Sequence, residues 1–397
     1  MRILIVSREY PPASVGGISR RLSNLVPRVL KMGIDVDVVC FGGSSLAGER
    51  VFSLDPKSPI SYARSRRLSI YDGTRVLTDV WNLDRYASMI LSSGRYDLVQ
   101  VEEPVFGPFI SSSVPKVVTT HVTQLGEVGA LLEVFNSSGQ ISRLVFSGTI
   151  GWAFDRLCLR DADVVVAVGP VIRTELCRYY GVREEIVRVI PNGVDVPRKV
   201  NKVEAKREIG VDNILFLYVG RLVDRKRVGD FLAALHMVRQ RGLEDFSALI
   251  VGSGPVGHAL TRLTSGLRLG DRVTFTGHVD DRMLFHLFEA ADVFVLPSCY
   301  EGNPISVMEA MAYGCVPVVS DIPHLREIVR THENGLTYPV GDVESLADAL
   351  LTLATDDELR ASISLAARRS ALHFSWSGVA SKYVRIYHAL KHGDRTF

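Results

Sequence analysis

The chain has 397 residues, with 46 Lys and Arg against 44 Asp and Glu, a formal net charge of +2 and 47% hydrophobic content. A sequence of this length and balance can bury a real core in two or three domains, and it is neither disordered, collagen-like nor a polycationic nucleic-acid binder. The one biased stretch is residues 1–95, with 14 basic against 8 acidic residues and with Arg64, Arg66 and Arg67 close together. An ordinary solvated face is expected there, and the functional reading beside it is an anionic acceptor or a lipid headgroup surface.

The cysteines (Cys40, Cys158, Cys177, Cys299 and Cys315) are odd in number and never form a CxxC pair. Neither a disulfide framework nor a zinc site is indicated, and reduced, mostly buried thiols are expected. The opening MRILIVS reaches Glu9, Tyr10 and two prolines before any apolar run long enough for a signal peptide. No segment approaches the roughly 18 uninterrupted apolar residues of a membrane span. These readings predict a cytosolic protein that touches a membrane at most peripherally, through its basic N-terminal domain.

In chain order, short β-branched runs alternate with longer stretches of helical periodicity. The strands of the first half read ILIVS (3–7), VDVVCF (36–41), LVQVE (98–102), KVVTTH (116–121), VVVAV (164–168) and VRVIP (187–191). The rhythm then restarts with ILFLYVG (214–220), ALIVG (248–252), VTFTG (273–277), VFVLPS (293–298) and VPVVSD (316–321). This pattern predicts an α/β protein of two doubly wound parallel-sheet domains, 1–192 and 193–373, joined at the turn-rich Pro191-Asn192-Gly193-Val194-Asp195. The segment 374–390 reads as one more amphipathic helix, free to pack on either domain. The stretches 51–78 and 127–147 are the least periodic and read as long loops.

Open parallel sheets bind ligands at the carboxyl ends of their strands, so the residues just after each strand carry the chemistry. After the first strand, Gly16-Gly17 immediately precede a helix, where backbone N–H groups favour an anion or a sugar hydroxyl. After the first strand of the second half comes Gly220-Arg221-Leu222-Val223-Asp224-Arg225-Lys226-Arg227, four basic residues inside eight. Arg offers a planar fork and Lys a mobile point charge, a complementary pair for a diphosphate. Arg221 and Lys226 read as the clamp, and Arg225 and Arg227 as the solvated face of the same run.

The richest constellation follows the strand ending at Ser298: Cys299, Tyr300, Glu301, Gly302, Asn303, Pro304, Ile305 and a helix carrying Ser306 and Glu309. Ser306 and Glu309 fit a capping box, whereas Glu301 has no cap or pair to explain it and reads as an acceptor for sugar hydroxyls. Two carboxylates also admit a glycosidase, disfavoured because Glu309 is half-committed to its helix. His121 closes the strand KVVTTH and is a structural donor or a catalytic group by position alone.

Two patterns are decoys. Gly252-x-Gly254-x-x-Gly257, with Asp280 after the next strand, matches a dinucleotide fingerprint, but it stands alone in mid-chain with Pro255 inside it. The metal-chelating string DxD occurs as Asp35-Val-Asp37 and Asp161-Ala-Asp163 at a frequency expected by chance, and the first pair should share a solvent-facing side of its strand.

Taken together, VGG (15–17), ADVVVAV (162–168), IPNGVD (190–195), VGRLVDRK (219–226), VGSGP (251–255), VTFTGHV (273–279), the long run 291–321 and ENGLTYPVGD (333–342) resemble the retaining family-4 glycosyltransferases of the GT-B type, nearly end to end. The resemblance implies two Rossmann-like domains facing across a cleft, with an acceptor-side N-terminal domain completed by the returning helix 374–392. The domain 193–373 would bind the nucleotide-sugar donor. It implies that Arg221 and Lys226 neutralise the donor diphosphate, Glu301 contacts the donor sugar, and Glu309 holds the ribose. Backbone near Val279 would meet the base, Gly16 and Gly17 the phosphates or acceptor, and His121 the reacting sugar. Gly302, Asn303, Pro304 and Ile305 would form the substrate-facing loop, although Pro304 stands where many relatives have Gly and removes one amide. Arg227 likewise replaces a usual Gly, and Val15 stands where polymer synthases of related type carry Lys.

The expected activity is retaining transfer of a sugar from a UDP- or GDP-sugar to a hydroxyl of a sugar, glycan or lipid-linked acceptor, with no metal, no cofactor and no nucleic-acid partner. A nucleotide-sugar epimerase or hydrolase and a non-catalytic two-domain sugar-binding protein are the alternatives.

Overall fold

The computed structural model describes residues 1–12, 16–54, 73–133 and 144–394. Val15, Arg64, Arg66 and Arg67 lie outside the described residues. The chain forms two compact units, Met1–Gly193 with Trp376–Phe397, and Val194–Ser375.

The first unit is built on β1 (Arg2–Val6), β2 (Asp35–Phe41), β3 (Arg50–Leu54), β4 (Leu98–Val101), β5 (Lys116–Thr120), β6 (Val164–Ala167) and β7 (Val187–Val189), in the order β3-β2-β1-β4-β5-β6-β7. The second contains β8 (Ile214–Val219), β9 (Phe246–Val251), β10 (Val273–Gly277), β11 (Val293–Leu296), β12 (Val316–Ser320) and β13 (Leu336–Tyr338), in the order β10-β9-β8-β11-β12-β13. Every pairing is parallel. Strands such as β6 and β11 are buried throughout, which is why they read as unbroken apolar runs, and β4 is equally buried but carries the polar Gln100. Each sheet reverses direction of growth once, beside β1 and β4 in the first unit and beside β8 and β11 in the second. Those two switch points are where a doubly wound sheet opens a crevice for ligand.

Two strands escape the sequence reading. β3 is a half-exposed edge strand inside the supposed loop 51–78, and β13 has three residues. The other supposed loop, 127–147, contains the end of the helix Gln124–Glu133, whose Gly126 and Gly129 dilute the periodicity, and the start of a π-helical turn, Ser147–Gly151. The five cysteines are free, with Cys177 half-buried and the others buried.

The C-terminal helix Trp376–Lys391 belongs to the first unit. Its stripe of Trp376, Val379, Ala380, Tyr383, Ile386, Tyr387 and Leu390 is buried, the i, i+3, i+4 spacing of a helix face. Gly193 admits it, because a Cβ there would lie 2.6 Å from Cδ2 of the Trp376 ring.

Both decoys have structural explanations. A Cβ at Gly252 would collide with the Gly220 carbonyl oxygen, and one at Gly254 with the Leu222 carbonyl oxygen. The glycines let the loop after β9 lie against the loop after β8, where Leu222 N donates to Ser253 O at 3.0 Å and Val256 N to Leu222 O at 3.2 Å. Asp280 is spoken for as the N-cap of the helix Asp281–Ala290, accepting from Met283 N at 2.8 Å. Gly252 also has φ +126°. Gly252→Ala is therefore expected to destabilise the fold by at least about 2 kcal/mol, from strain and collision together. Urea unfolding checks this, and an unchanged midpoint would contradict it.

Asp37 corrects the expectation of a solvent-facing DxD pair. It is buried and held by Arg2 at 3.0 Å, Arg50 at 2.9 Å and the Tyr96 hydroxyl at 2.6 Å. Burial pushes its carboxyl up, but the hydrogen bonds from Arg50, Tyr96 and Arg2 hold it below the usual range. Asp163 accepts from Lys116 N at 2.9 Å.

Candidate active site

In the second unit, the loops after β8 and β11 meet at the switch point. Gly220 leaves room for the Tyr218 hydroxyl, which donates to Arg221 O at 3.0 Å. The Arg221 residue is exposed, while the 3-10 turn Asp224–Lys226 carries Lys226 into the interior, where its ammonium pairs with Glu301 Oε1. Arg225 donates to Tyr300 O at 2.7 Å and lies 3.8 Å from Glu301 Oε2, and Cys299 N donates to Arg225 O at 2.9 Å.

These contacts overturn two expectations. Glu301 does have a pair, and Arg225 is a part-buried strut between loops rather than a solvated charge. Sequence reasoning missed both because the partners are 75 residues apart in the chain. Arg227 sits in the left-handed region at φ 49°, ψ 37°, the conformation for which Gly is the default, and its guanidinium donates to Asp230 at 2.6 Å.

The buried Glu301, Gly302 and Asn303 lead through Pro304 into the helix Ile305–Ala312. Pro304 is the N-cap, in extended conformation, and no side chain caps the helix. The expected capping box of Ser306 and Glu309 is thus absent: Pro304 occupies the cap position, which puts Ser306 inside the first turn. Ile305, Ser306 and Glu309 lie along this short helix, Glu309 buried. Val279 is half-buried just after β10.

Burial alone would raise the Glu301 carboxyl, but the charges of Lys226 and Arg225 hold it below its ordinary value. Burial pulls the Lys226 ammonium down to about 8, against the pull of Glu301 and with the help of Arg225 and Arg221. The cluster therefore presents cationic side chains and an ionised carboxylate beside the uncapped start of a helix, an arrangement suited to an anion next to a hydroxyl-rich group.

In the first unit, Gly16 is the N-cap of the helix Gly17–Lys31, with no side-chain cap. The Glu9 carboxylate lies against Gly16, whereas a Cβ at Gly17 would meet nothing within 4 Å. His121, just after β5, binds Glu102 Oε2 through Nε2 at 3.0 Å. Glu102 follows β4 and is fully buried, with Arg21 Nε 3.3 Å from the same oxygen. Burial would raise its carboxyl, but the Arg21 charge and the His121 hydrogen bond keep it ionised. Burial pushes His121 down more than Glu102 raises it, so the imidazole is neutral at neutral pH. Sequence reasoning did not single out Glu102 or Arg21. The signals were an acidic residue directly after a strand and a basic pair on a helix, both of which look like surface charge.

Two parallel-sheet Rossmann-like units with charged and polar groups gathered at their switch points define the GT-B class of fold. Residues 15–198 match the family described as Glycosyltransferase Family 4, and residues 200–370 match Glycosyl transferases group 1. The chain belongs to the family-4 glycosyltransferases and is a glycosyltransferase enzyme. It is 28% identical to a glycogen synthase of Mycobacterium tuberculosis over 100% of this chain and 96% of that protein. Its fold is similar to sucrose-phosphate synthase from Thermosynechococcus elongatus, with TM-score 0.82 and 22% identity, covering 99% of this chain and 100% of that one. It is also similar to the Anabaena protein HepE in complex with UDP-glucose, with TM-score 0.72 and 19% identity over 98% and 100% of the two chains. No helix among the described residues is long and apolar enough to cross a membrane.

Proposed function

We propose that this glycosyltransferase moves a sugar from a UDP- or GDP-sugar to a hydroxyl of a sugar, glycan or lipid-linked acceptor, with retention of the anomeric configuration. The observation that carries the reading is the cluster at the switch point of β8 and β11, where Lys226, reached by the loop that also carries Arg221, pairs with Glu301 just before an uncapped helix start. Charge grows on the leaving diphosphate in the transition state, and cations already fixed in place stabilise it without reorganisation. The UDP-glucose bound by the structurally similar Anabaena protein agrees with such a donor.

In this reading Glu301, held by Lys226 through one oxygen, offers its carboxylate to the sugar hydroxyls, while Gly302, Asn303, Pro304 and Ile305 line the sugar and phosphate. Glu309 holds the ribose and the backbone near Val279 meets the base. Gly16 and Gly17 serve the phosphates or the acceptor, and His121 meets the reacting sugar. No side chain is assigned as a nucleophile. The leaving phosphate oxygen takes the acceptor proton on the face from which the diphosphate departs.

Retention is expected in the NMR spectrum of the fresh product, and a product of opposite anomeric configuration would refute it. Side-chain cations replace a divalent metal in this account, because Asp37 and Asp163 of the DxD strings are tied to structural partners. Turnover in excess EDTA should match the untreated enzyme, whereas a loss restored by magnesium or manganese would contradict the account.

A pH dependence follows from Lys226. Its ammonium is present below about 8 and is lost above it. Donor kcat/KM, which reports free-enzyme ionisations, should fall as pH rises through that value. A profile flat well beyond it would remove Lys226 from the donor site.

A further inference from the structure

The first unit contains a buried polar chain that ties its last helix to His121. Tyr383 and Tyr387 are one turn apart on the helix Trp376–Lys391, and both are fully buried. The Tyr387 hydroxyl donates to Gln100 Oε1, and Gln100 Nε2 donates to Glu102 Oε1. On the other branch Arg21, itself fully buried, places Nη2 on the Tyr383 hydroxyl, Nη1 on Asn192 Oδ1 at 2.7 Å and Nε 3.3 Å from Glu102 Oε2. Thr119 Oγ1 meets the same Tyr383 hydroxyl at 3.0 Å, and the Arg21 guanidinium lies over the Tyr383 ring at 5.1 Å. Both Glu102 oxygens are thereby engaged, and the remaining contact of Oε2 is His121 Nε2 at 3.0 Å.

A chain of this kind is expensive unless every member is satisfied, because a charge left alone in the interior is strongly destabilising. A pure packing role for the helix needs only its apolar stripe. The two tyrosine hydroxyls instead reach, through Gln100 and Arg21, the carboxylate that touches His121.

We propose that Glu102 and Arg21 are positioning residues for His121, and that Tyr383 and Tyr387 make the C-terminal helix part of the same device. An ionised carboxylate only accepts, so Nε2 of His121 must carry the proton that it donates to Glu102. In the neutral ring Nδ1 is then an acceptor. His121 therefore accepts a hydrogen bond from a substrate hydroxyl and does not donate one to a phosphate oxygen. This rests on the proposed placement of His121 at the reacting sugar, but the tautomer itself does not.

The test is long-range nitrogen-proton NMR of the full chain labelled at histidine, with the His121 signal assigned by its loss in His121→Gln. The wild type should show a single neutral tautomer protonated at Nε2. Tyr383→Phe keeps the ring and removes the hydroxyl, and it should give a mixture of tautomers and lower kcat about tenfold while KM stays within about threefold. Glu102→Gln should loosen the tautomer in the same way. An Nδ1-protonated ring or a tautomer mixture in the wild type would overturn the proposal, as would an unchanged tautomer in both variants. An altered tautomer with unchanged kcat would leave the positioning geometry intact and remove His121 from the reaction.

Discussion

Lys226→Ala is expected to cost the fold about 3–5 kcal/mol and to remove most donor turnover. Its ammonium is the close partner of the buried Glu301, and deleting it leaves that buried carboxylate with only the longer ionic contact to Arg225 at 3.8 Å. Activity and stability therefore fall together in the single variant, and the loss of turnover alone would say little about the donor. The double variant Lys226→Met with Glu301→Gln separates them. Replacing both charges with groups of similar volume is often nearly neutral, so thermal stability should largely return. Turnover should stay low, since neither the diphosphate cation nor the ionised carboxylate comes back. Recovery of both would make the pair a structural bridge and nothing more. For the same reason Glu301→Gln alone is expected to lower the melting temperature, contrary to what the sequence suggested for an unpaired Glu301.

Arg221→Ala should behave in the opposite way. Arg221 is exposed at the end of β8, so its stability cost should stay within about 0.5 kcal/mol. A hydrogen bond to a charged group contributes about 1.5–3 kcal/mol, which puts the loss in donor kcat/KM at roughly ten- to 150-fold. Part of that loss belongs in kcat, because the leaving group gains charge in the transition state. Arg227→Gly is the control. It relieves a positive φ and gives up one part-buried pair with Asp230, so activity should remain within about threefold of wild type. Equal losses at Arg221 and Arg227 would indicate a diffuse basic surface.

The sheets were legible because inner parallel strands are covered on both faces and leave largely apolar runs, as nine of the eleven strands read from the sequence do, while the edge strands β7 and β10 stood out by their β-branched residues. β3 and β13 did not, since an edge strand is half-exposed and a three-residue strand has no period to detect. Arg221, Lys226 and Glu301 were visible from their positions after strands. The partnership between Lys226 and Glu301 was not, because no local rule links residues 75 apart in the chain. The false capping box at Ser306 came from a matching spacing, which Pro304 displaced by taking the cap position. Arg21 shows the limit most sharply. It sits in an Arg-Arg pair on a helix that reads as surface, yet it is fully buried, with hydrogen-bond partners 171 and 362 residues away.

In the proposed reading the loop after β8 receives a nucleoside diphosphate through Arg221 and Lys226. The decisive experiment is calorimetric titration of the whole chain with UDP and GDP, each against its monophosphate. One diphosphate should bind at least about tenfold tighter than its monophosphate, the β-phosphate adding charged hydrogen bonds. In Arg221→Ala most of that gap should close while monophosphate affinity is unchanged. Equal affinity for diphosphate and monophosphate in the wild type, or a gap that survives Arg221→Ala, would contradict it.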